Sequence, residues 1–112
     1  MYRNPKTAVD VVISDGKRVV LIRRGKEPFK GMLALPGGFV DYGETVEKAA
    51  LREALEETGL SVRLLDILGV YSEANRDPRA HTISTVFLAD CDSEDITEGD
   101  DAEAAFWMDL EE

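Results

Sequence analysis

The chain has 112 residues, 44% hydrophobic and 32% charged, which allows one domain (residues 1–112) with one modest core and excludes wholesale disorder. Apolar runs such as residues 19–22 are far too short to span a bilayer, residues 1–6 lack the apolar centre of a signal peptide, and the single Cys91 cannot form an internal disulfide, so a cytosolic location without membrane contact is expected. The net charge of −10 is unevenly spread: all 13 basic residues precede residue 90 and residues 90–112 hold eleven acids, which argues against extended nucleic-acid binding while leaving room for a small anionic ligand.

Residues 7–13 and 17–22 are β-branched apolar runs separated by Ser14, Asp15 and Gly16, a pattern that predicts a hairpin. Residues 23–31 form a basic loop punctuated by Gly and Pro. Short strands are expected at 32–35 and 39–40, flanking Pro36-Gly37-Gly38, where the chain bends sharply or approaches something closely. Residues 45–58 carry strong helix formers and no Gly or Pro, and Gly59 is placed to end the helix in a left-handed conformation. Strands are expected at 62–71, 82–89 and 104–108, with a polar loop around Pro78 and an acidic loop over 90–103. This is an α+β pattern.

On a helical projection, Leu51, Ala54 and Leu55 share a stripe with Thr58 beside them, which predicts the face that packs on the sheet. Glu53, Glu56 and Glu57 project together on the opposite side. Like charges at i, i+3 and i+4 destabilise a helix by roughly 0.2–0.5 kcal/mol per pair, and these lie near its C-terminal end, where the dipole favours cations. Arg52 can pair with Glu56 at i+4 but cannot neutralise three carboxylates. Such a cluster is either a solvated helix face or a set of hard oxygen ligands suited to Mg²⁺ or Mn²⁺.

The segment from Gly38 to Leu60 resembles the Nudix box, the signature of the Nudix hydrolases. Gly38, Glu44, Arg52, Glu53, Glu56, Glu57 and Gly59 match all seven of its fixed positions at the right intervals. With each residue type near 7% abundance, chance agreement at one starting point is on the order of one in a hundred million. Ala54 is smaller than the aliphatic residue usual at its position. The resemblance implies an α/β/α sandwich with a mixed sheet and the Nudix helix on one face. It also implies metal-dependent hydrolysis of a nucleoside diphosphate linked to another moiety. Glu53, Glu56 and Glu57 would then be the metal ligands with the Gly37 carbonyl, Arg52 would orient a glutamate, and Glu44 would brace the loop. The general base varies in the family; a glutamate of the box or a late-loop acid, Asp101 or Glu103, is a candidate.

Outside the box, Arg23, Arg24, Lys26 and Lys30 offer phosphate contacts, arginine being suited by its bidentate fork. Phe29, Phe39, Tyr71 and Trp107 are available for base stacking, although core packing is the commoner role. The segments around Phe29, around Gly38 and Phe39, and from Gly69 to His81, including Arg79, are similar to short ADP-ribose pyrophosphatases. His81 reads as a loop anchor. ADP-ribose, cleaved to AMP and ribose 5-phosphate, is therefore the expected substrate. The alternatives are an oxidised nucleoside triphosphate or dinucleoside polyphosphate substrate, or a nucleotide-sensing module without catalysis. Family members continue past the last strand into a second helix, so its apparent absence here implies a trimmed form or another cover for that sheet face, such as a homodimer partner.

Overall fold

A computed structural model describes residues 4–27, 29–74, 80–93, 95–96 and 102–111. The elements are β1 (Lys6–Ile13), β2 (Arg18–Arg24), β3 (Leu33–Ala34), β4 (Gly37–Phe39), α1 (Val46–Thr58), β5 (Val62–Tyr71), β6 (Thr82–Cys91) and β7 (Ala102–Asp109). A mixed four-stranded sheet runs β4-β1-β6-β5, with β1 and β6 parallel, and an antiparallel three-stranded sheet runs β3-β2-β7.

The expected hairpin between the first two strands is only partly formed. The chain does turn at Gly16, whose φ of +93° suits glycine, and Asp15 Oδ1 accepts from the backbone N–H groups of Lys17 and Arg18. Beyond one isolated bridge, Ser14 to Val19, the two strands part into different sheets. The reason is long-range pairing: β1 finds eight residue partners on β6, and β2 finds seven on β7. The mixed sheet of the sequence reading is present as β4-β1-β6-β5, and β3-β2-β7 forms a second sheet across a cleft from it.

Strand alternation assigns the faces of β1. Val9, Val11 and Ile13 stand opposite Thr85, Phe87 and Ala89 of β6, and the three β1 side chains with Phe87 and Ala89 form the main core together with Ala49, Ala50 and Ala54 of α1. Ala8 and Asp10 point the other way, into the cleft, on the side of Ser84.

The helix orientation departs from its projection. Leu51 and Leu55 are 40% and 52% exposed, whereas Ala49, Ala50, Ala54, Glu57 and Thr58 are buried. Three small side chains let the helix lie close on the sheet, and Glu57 is carried in because a backbone donor meets it there. Thr45 caps the helix by accepting from Lys48 N–H, and Gly59 ends it at φ +74°. On the sheet's free edge, β5 leaves Leu65, Ile67, Leu68, Val70 and Tyr71 exposed, uncovered among the described residues. No helix among the described residues is long and apolar enough to cross a membrane.

Candidate active site

Arg52 is the hub of the acidic cluster. Its Nε and Nη2 donate to the two carboxylate oxygens of Glu44 at 2.8 and 2.9 Å. Nη1 donates to Glu53 Oε1 at 2.6 Å and to Glu56 Oε2 at 3.2 Å, and Nη2 also reaches the Phe39 carbonyl at 3.0 Å. Glu44 Oε1 accepts in addition from Asp41 N–H, closing the loop that leads into α1. These bonds, the Arg52 guanidinium first, hold the Glu44 carboxyl at about 2. Arg52 itself is held more firmly protonated than usual, by Glu44 above all and by Glu53.

Gly37 and Gly38 lie at the centre of the acidic groups. A Cβ on Gly38 would stand 2.5 Å from Glu53 Oε2, so only a glycine there allows that carboxylate to lie on the strand. Gly37 N–H, on the outer edge of β4, donates to Glu57 Oε1 at 3.2 Å. A Cβ on Gly37 would meet the Val9 carbonyl and, at 2.5 Å, Asp10 Oδ1. Three carboxylates thus approach one dipeptide: Glu53 from the helix side, Glu57 from the edge and Asp10 from the cleft. Burial pushes the Glu53 carboxyl up; Arg52 and a hydrogen-bonding contact with Glu57 pull against that.

These residues line a cleft of about 410 Å³ together with Ile22, Arg24, Lys26 and Leu35. Of the sequence-predicted residues, the structure brings Gly37, Gly38, Phe39, Glu53, Glu57 and Arg24 to this cleft. Glu44 and Arg52 stand behind the helix-side wall, and Glu56 points outward, its side chain 57% exposed. Arg23 is turned away: its Nη1 donates to the Gly31 carbonyl and pins the basic loop. Arg79 and Asp101 lie outside the described residues, and for Glu103 only the backbone, in β7, is described. His81 does anchor a loop, its Nε2 lying 2.8 Å from the Ser72 carbonyl. Asp10 was missed by the sequence reading, although a lone acid inside the run Ala8-Val9-Asp10-Val11-Val12-Ile13 was a visible signal.

The donor chemistry fits a divalent cation. Glu57 is buried and Glu53 partly buried, and their abutting carboxylates carry a mutual repulsion that a cation would relieve. In this arrangement Arg52 engages Glu53 and Glu56, and among the described residues no three acidic, His or Cys side chains form a ready-made metal cage.

The NUDIX domain pattern matches residues 4–112. The chain belongs to the NUDIX domain family. It is 50% identical over 110 residues to the ADP-ribose pyrophosphatase of Methanocaldococcus jannaschii, covering 98% of this chain and 65% of that protein, so it spans just under two thirds of that relative's length. Among solved structures, a MutT/nudix family protein from Enterococcus faecalis superposes with a TM-score of 0.89 at 35% identity, over 97% of this chain and 45% of that one. A bifunctional NMN adenylyltransferase/ADP ribose pyrophosphatase from Francisella tularensis, complexed with AMP and a manganese ion, gives 0.87 at 28% identity, over 97% of this chain and 35% of that one. Residues 38–60, where the Nudix box is expected, run from the last two residues of β4 through the loop closed by Glu44, α1 and its Gly59 cap.

Proposed function

We propose that this NUDIX chain is a divalent-metal-dependent pyrophosphohydrolase acting on a nucleoside diphosphate linked to another moiety, with ADP-ribose, cleaved to AMP and ribose 5-phosphate, as substrate. The observation that carries the reading is the placement of Glu53 and Glu57 against Gly37 and Gly38 at the wall of the cleft, with Arg52 fixed behind them. The likeness to the Methanocaldococcus and Francisella proteins supports the choice of substrate.

In this reading Glu53, Glu56, Glu57 and the Gly37 carbonyl hold Mg²⁺ or Mn²⁺, of which the chain supplies the ligands. When bound, such an ion lowers the pKa of water and neutralises phosphate oxygens. Arg52 sets the direction of the Glu53 carboxylate, and Glu44 fixes Arg52 through both of its oxygens. Arg24 and Lys26, at the cleft wall, receive the diphosphate oxygens, while Ile22, Leu35 and Phe39 supply apolar walls that reduce competing hydration of the substrate. Water oxygen bonds to one phosphorus, its proton passing to a nearby carboxylate and on to solvent, while the bridging P–O bond breaks and its oxygen leaves with the other phosphorus, so that the two products are the phosphomonoesters AMP and ribose 5-phosphate. The net charge of −10 favours a small nucleotide over a long polyanion.

A panel of ADP-ribose, 8-oxo-dGTP and a diadenosine polyphosphate, compared by kcat/KM with Mg²⁺ and with Mn²⁺, tests this. ADP-ribose is expected to lead by tenfold or more. A leading triphosphate or dinucleoside polyphosphate would replace the substrate and keep the hydrolase. No cleavage of any member would favour a nucleotide-sensing module.

A further inference from the structure

Asp10 stands in the middle of β1, a strand flanked by β4 on one side and β6 on the other. An acid on the inner face of a central strand sits where an aliphatic side chain would pack, and here it places a carboxylate at the cleft wall. Register places Asp10 opposite Gly37 on β4, and Ala8 opposite both Phe39 on β4 and Ser84 on β6. Thr82 follows two residues before Ser84 on the same face. Both hydroxyl residues are 4% exposed, and all three polar residues line the cleft with the small Ala8 between them. The cleft floor is thus a polar strip, Asp10 to Ser84 to Thr82, that begins beside the dipeptide gripped by Glu53 and Glu57.

The chemistry of that strip selects its occupant. A carboxylate accepts hydrogen bonds and repels phosphate, so Asp10 does not face the diphosphate itself. The group that adjoins a diphosphate in a nucleotide is the sugar, an uncharged ring bearing hydroxyl donors. Two carboxylate oxygens, each able to accept more than one hydrogen bond, match a pair of such donors, and the hydroxyl oxygens of Ser84 and of Thr82, whose proton goes to the Ala80 carbonyl, can accept from a third. The glycine at position 37 is needed on this side too: any Cβ would strike Asp10 Oδ1.

We propose that Asp10, backed by Ser84 and Thr82, is the specificity-determining residue that hydrogen-bonds the hydroxyls of the sugar next to the diphosphate. This rests on the pyrophosphohydrolase reading of the cleft and adds to it a preference for ribose over deoxyribose.

The test compares ADP-ribose with its analogues lacking one hydroxyl of either ribose. The wild-type protein is expected to favour ADP-ribose over at least one analogue by tenfold or more in kcat/KM, and Asp10→Asn to shrink that ratio below about threefold. The isosteric amide changes charge and one acceptor while keeping shape. Ser84→Ala, read by the same ratio, shrinks it more modestly and serves if Asp10→Asn fails to fold. An Asp10→Asn protein that loses the same factor on every member, or keeps the wild-type ratio, overturns the proposal. If the wild-type protein cleaves none of the panel, the hydrolase reading fails separately. Calorimetric binding of the same compounds in EDTA then reads the sugar contact alone, and equal wild-type affinity for ADP-ribose and every analogue overturns it.

Discussion

Arg52 and Glu44 meet side by side, Nε on Oε2 at 2.8 Å and Nη2 on Oε1 at 2.9 Å, eight residues apart in sequence. This fork ties the loop before α1 to the helix and leaves Nη1 free to hold Glu53 and Glu56. Arg52→Lys keeps the charge but cannot make the fork. We expect it to lower kcat by tenfold or more and to destabilise the fold by about 1–3 kcal/mol, because several charge-assisted hydrogen bonds go at once. Arg63 makes a similar fork to Asp90 with its side chain 65% exposed, so Arg63→Lys should stay within about 0.5 kcal/mol. Urea titrations of both variants, with kinetics on ADP-ribose, compare them.

The same pair sets a pH dependence. Glu44 is brought from 4.5 to about 2 by Arg52 and the Asp41 N–H. A carboxyl that is more acidic when folded means that the unfolded chain binds more protons between those values, so stability rises with pH through that window. Its contribution is complete above about 4.5 and lost as pH falls through about 2. The stability gap between wild-type protein and Glu44→Gln, measured by urea midpoints, should therefore be constant above pH 5 and shrink steadily below pH 4. A gap that widens on acidification would contradict the role of the ionised carboxylate.

The box residues were legible because their chemistry is local in sequence: Thr45 and Gly59 cap a helix that Ala, Leu and Glu favour, and Arg52 reaches its partners within one helix and the loop before it. What the sequence hid is set by distant partners. The helix projection chose Leu51 and Leu55 as the buried face because they are the larger apolar residues, yet a close approach to β1 and β4 favours Ala50 and Ala54, and Gly37 N–H draws Glu57 inward. The turn at Gly16 was visible, but not that β6 and β7 would compete for the strands on either side. Asp10 escaped notice because its meaning lies in Gly37 and Ser84, residues 27 and 74 positions away, which only strand register brings together.

The orientation of α1 can be checked directly. Leu51→Gln and Leu55→Gln replace exposed side chains and should change stability by no more than about 0.5 kcal/mol each. Ala54→Leu forces three extra heavy atoms into a site with no exposure and should cost about 1–3 kcal/mol. The opposite ranking, from thermal or urea unfolding, would restore the face that the projection chose.

The two glycines should separate stability from chemistry. At Gly37 an added Cβ meets the Val9 backbone carbonyl, which cannot move without disturbing β1, so Gly37→Ala should lower both melting temperature and activity. At Gly38 the obstacle is the carboxylate end of Glu53, which can swing aside. Gly38→Ala should therefore fold with a smaller loss of stability while activity falls by tenfold or more, since the displaced carboxylate is a proposed ligand. Equal losses of stability in the two variants would count against this division.

Glu57 offers the most direct test of the metal reading. Its side chain is buried, accepts from Gly37 N–H and contacts Glu53, whose own carboxyl burial drives upward. Glu57→Gln keeps an oxygen for Gly37 and removes one of two abutting charges, so the metal-free variant should melt at or above the wild-type temperature. Addition of Mg²⁺ should separate the two proteins by the size of the stabilisation. At ten times its dissociation constant a ligand specific for the folded state stabilises by about 1.4 kcal/mol, so wild-type protein should gain several degrees in millimolar Mg²⁺ or Mn²⁺. The variant, having lost a charged ligand, should gain little, and its hydrolysis of ADP-ribose should fall by orders of magnitude. Undiminished turnover in excess EDTA, or equal metal-induced shifts in both proteins, would remove Glu57 from the ligand set. A variant that melts lower without metal would instead show that the ionised carboxylate stabilises the fold through Gly37, and that the repulsion from Glu53 is already offset by Arg52.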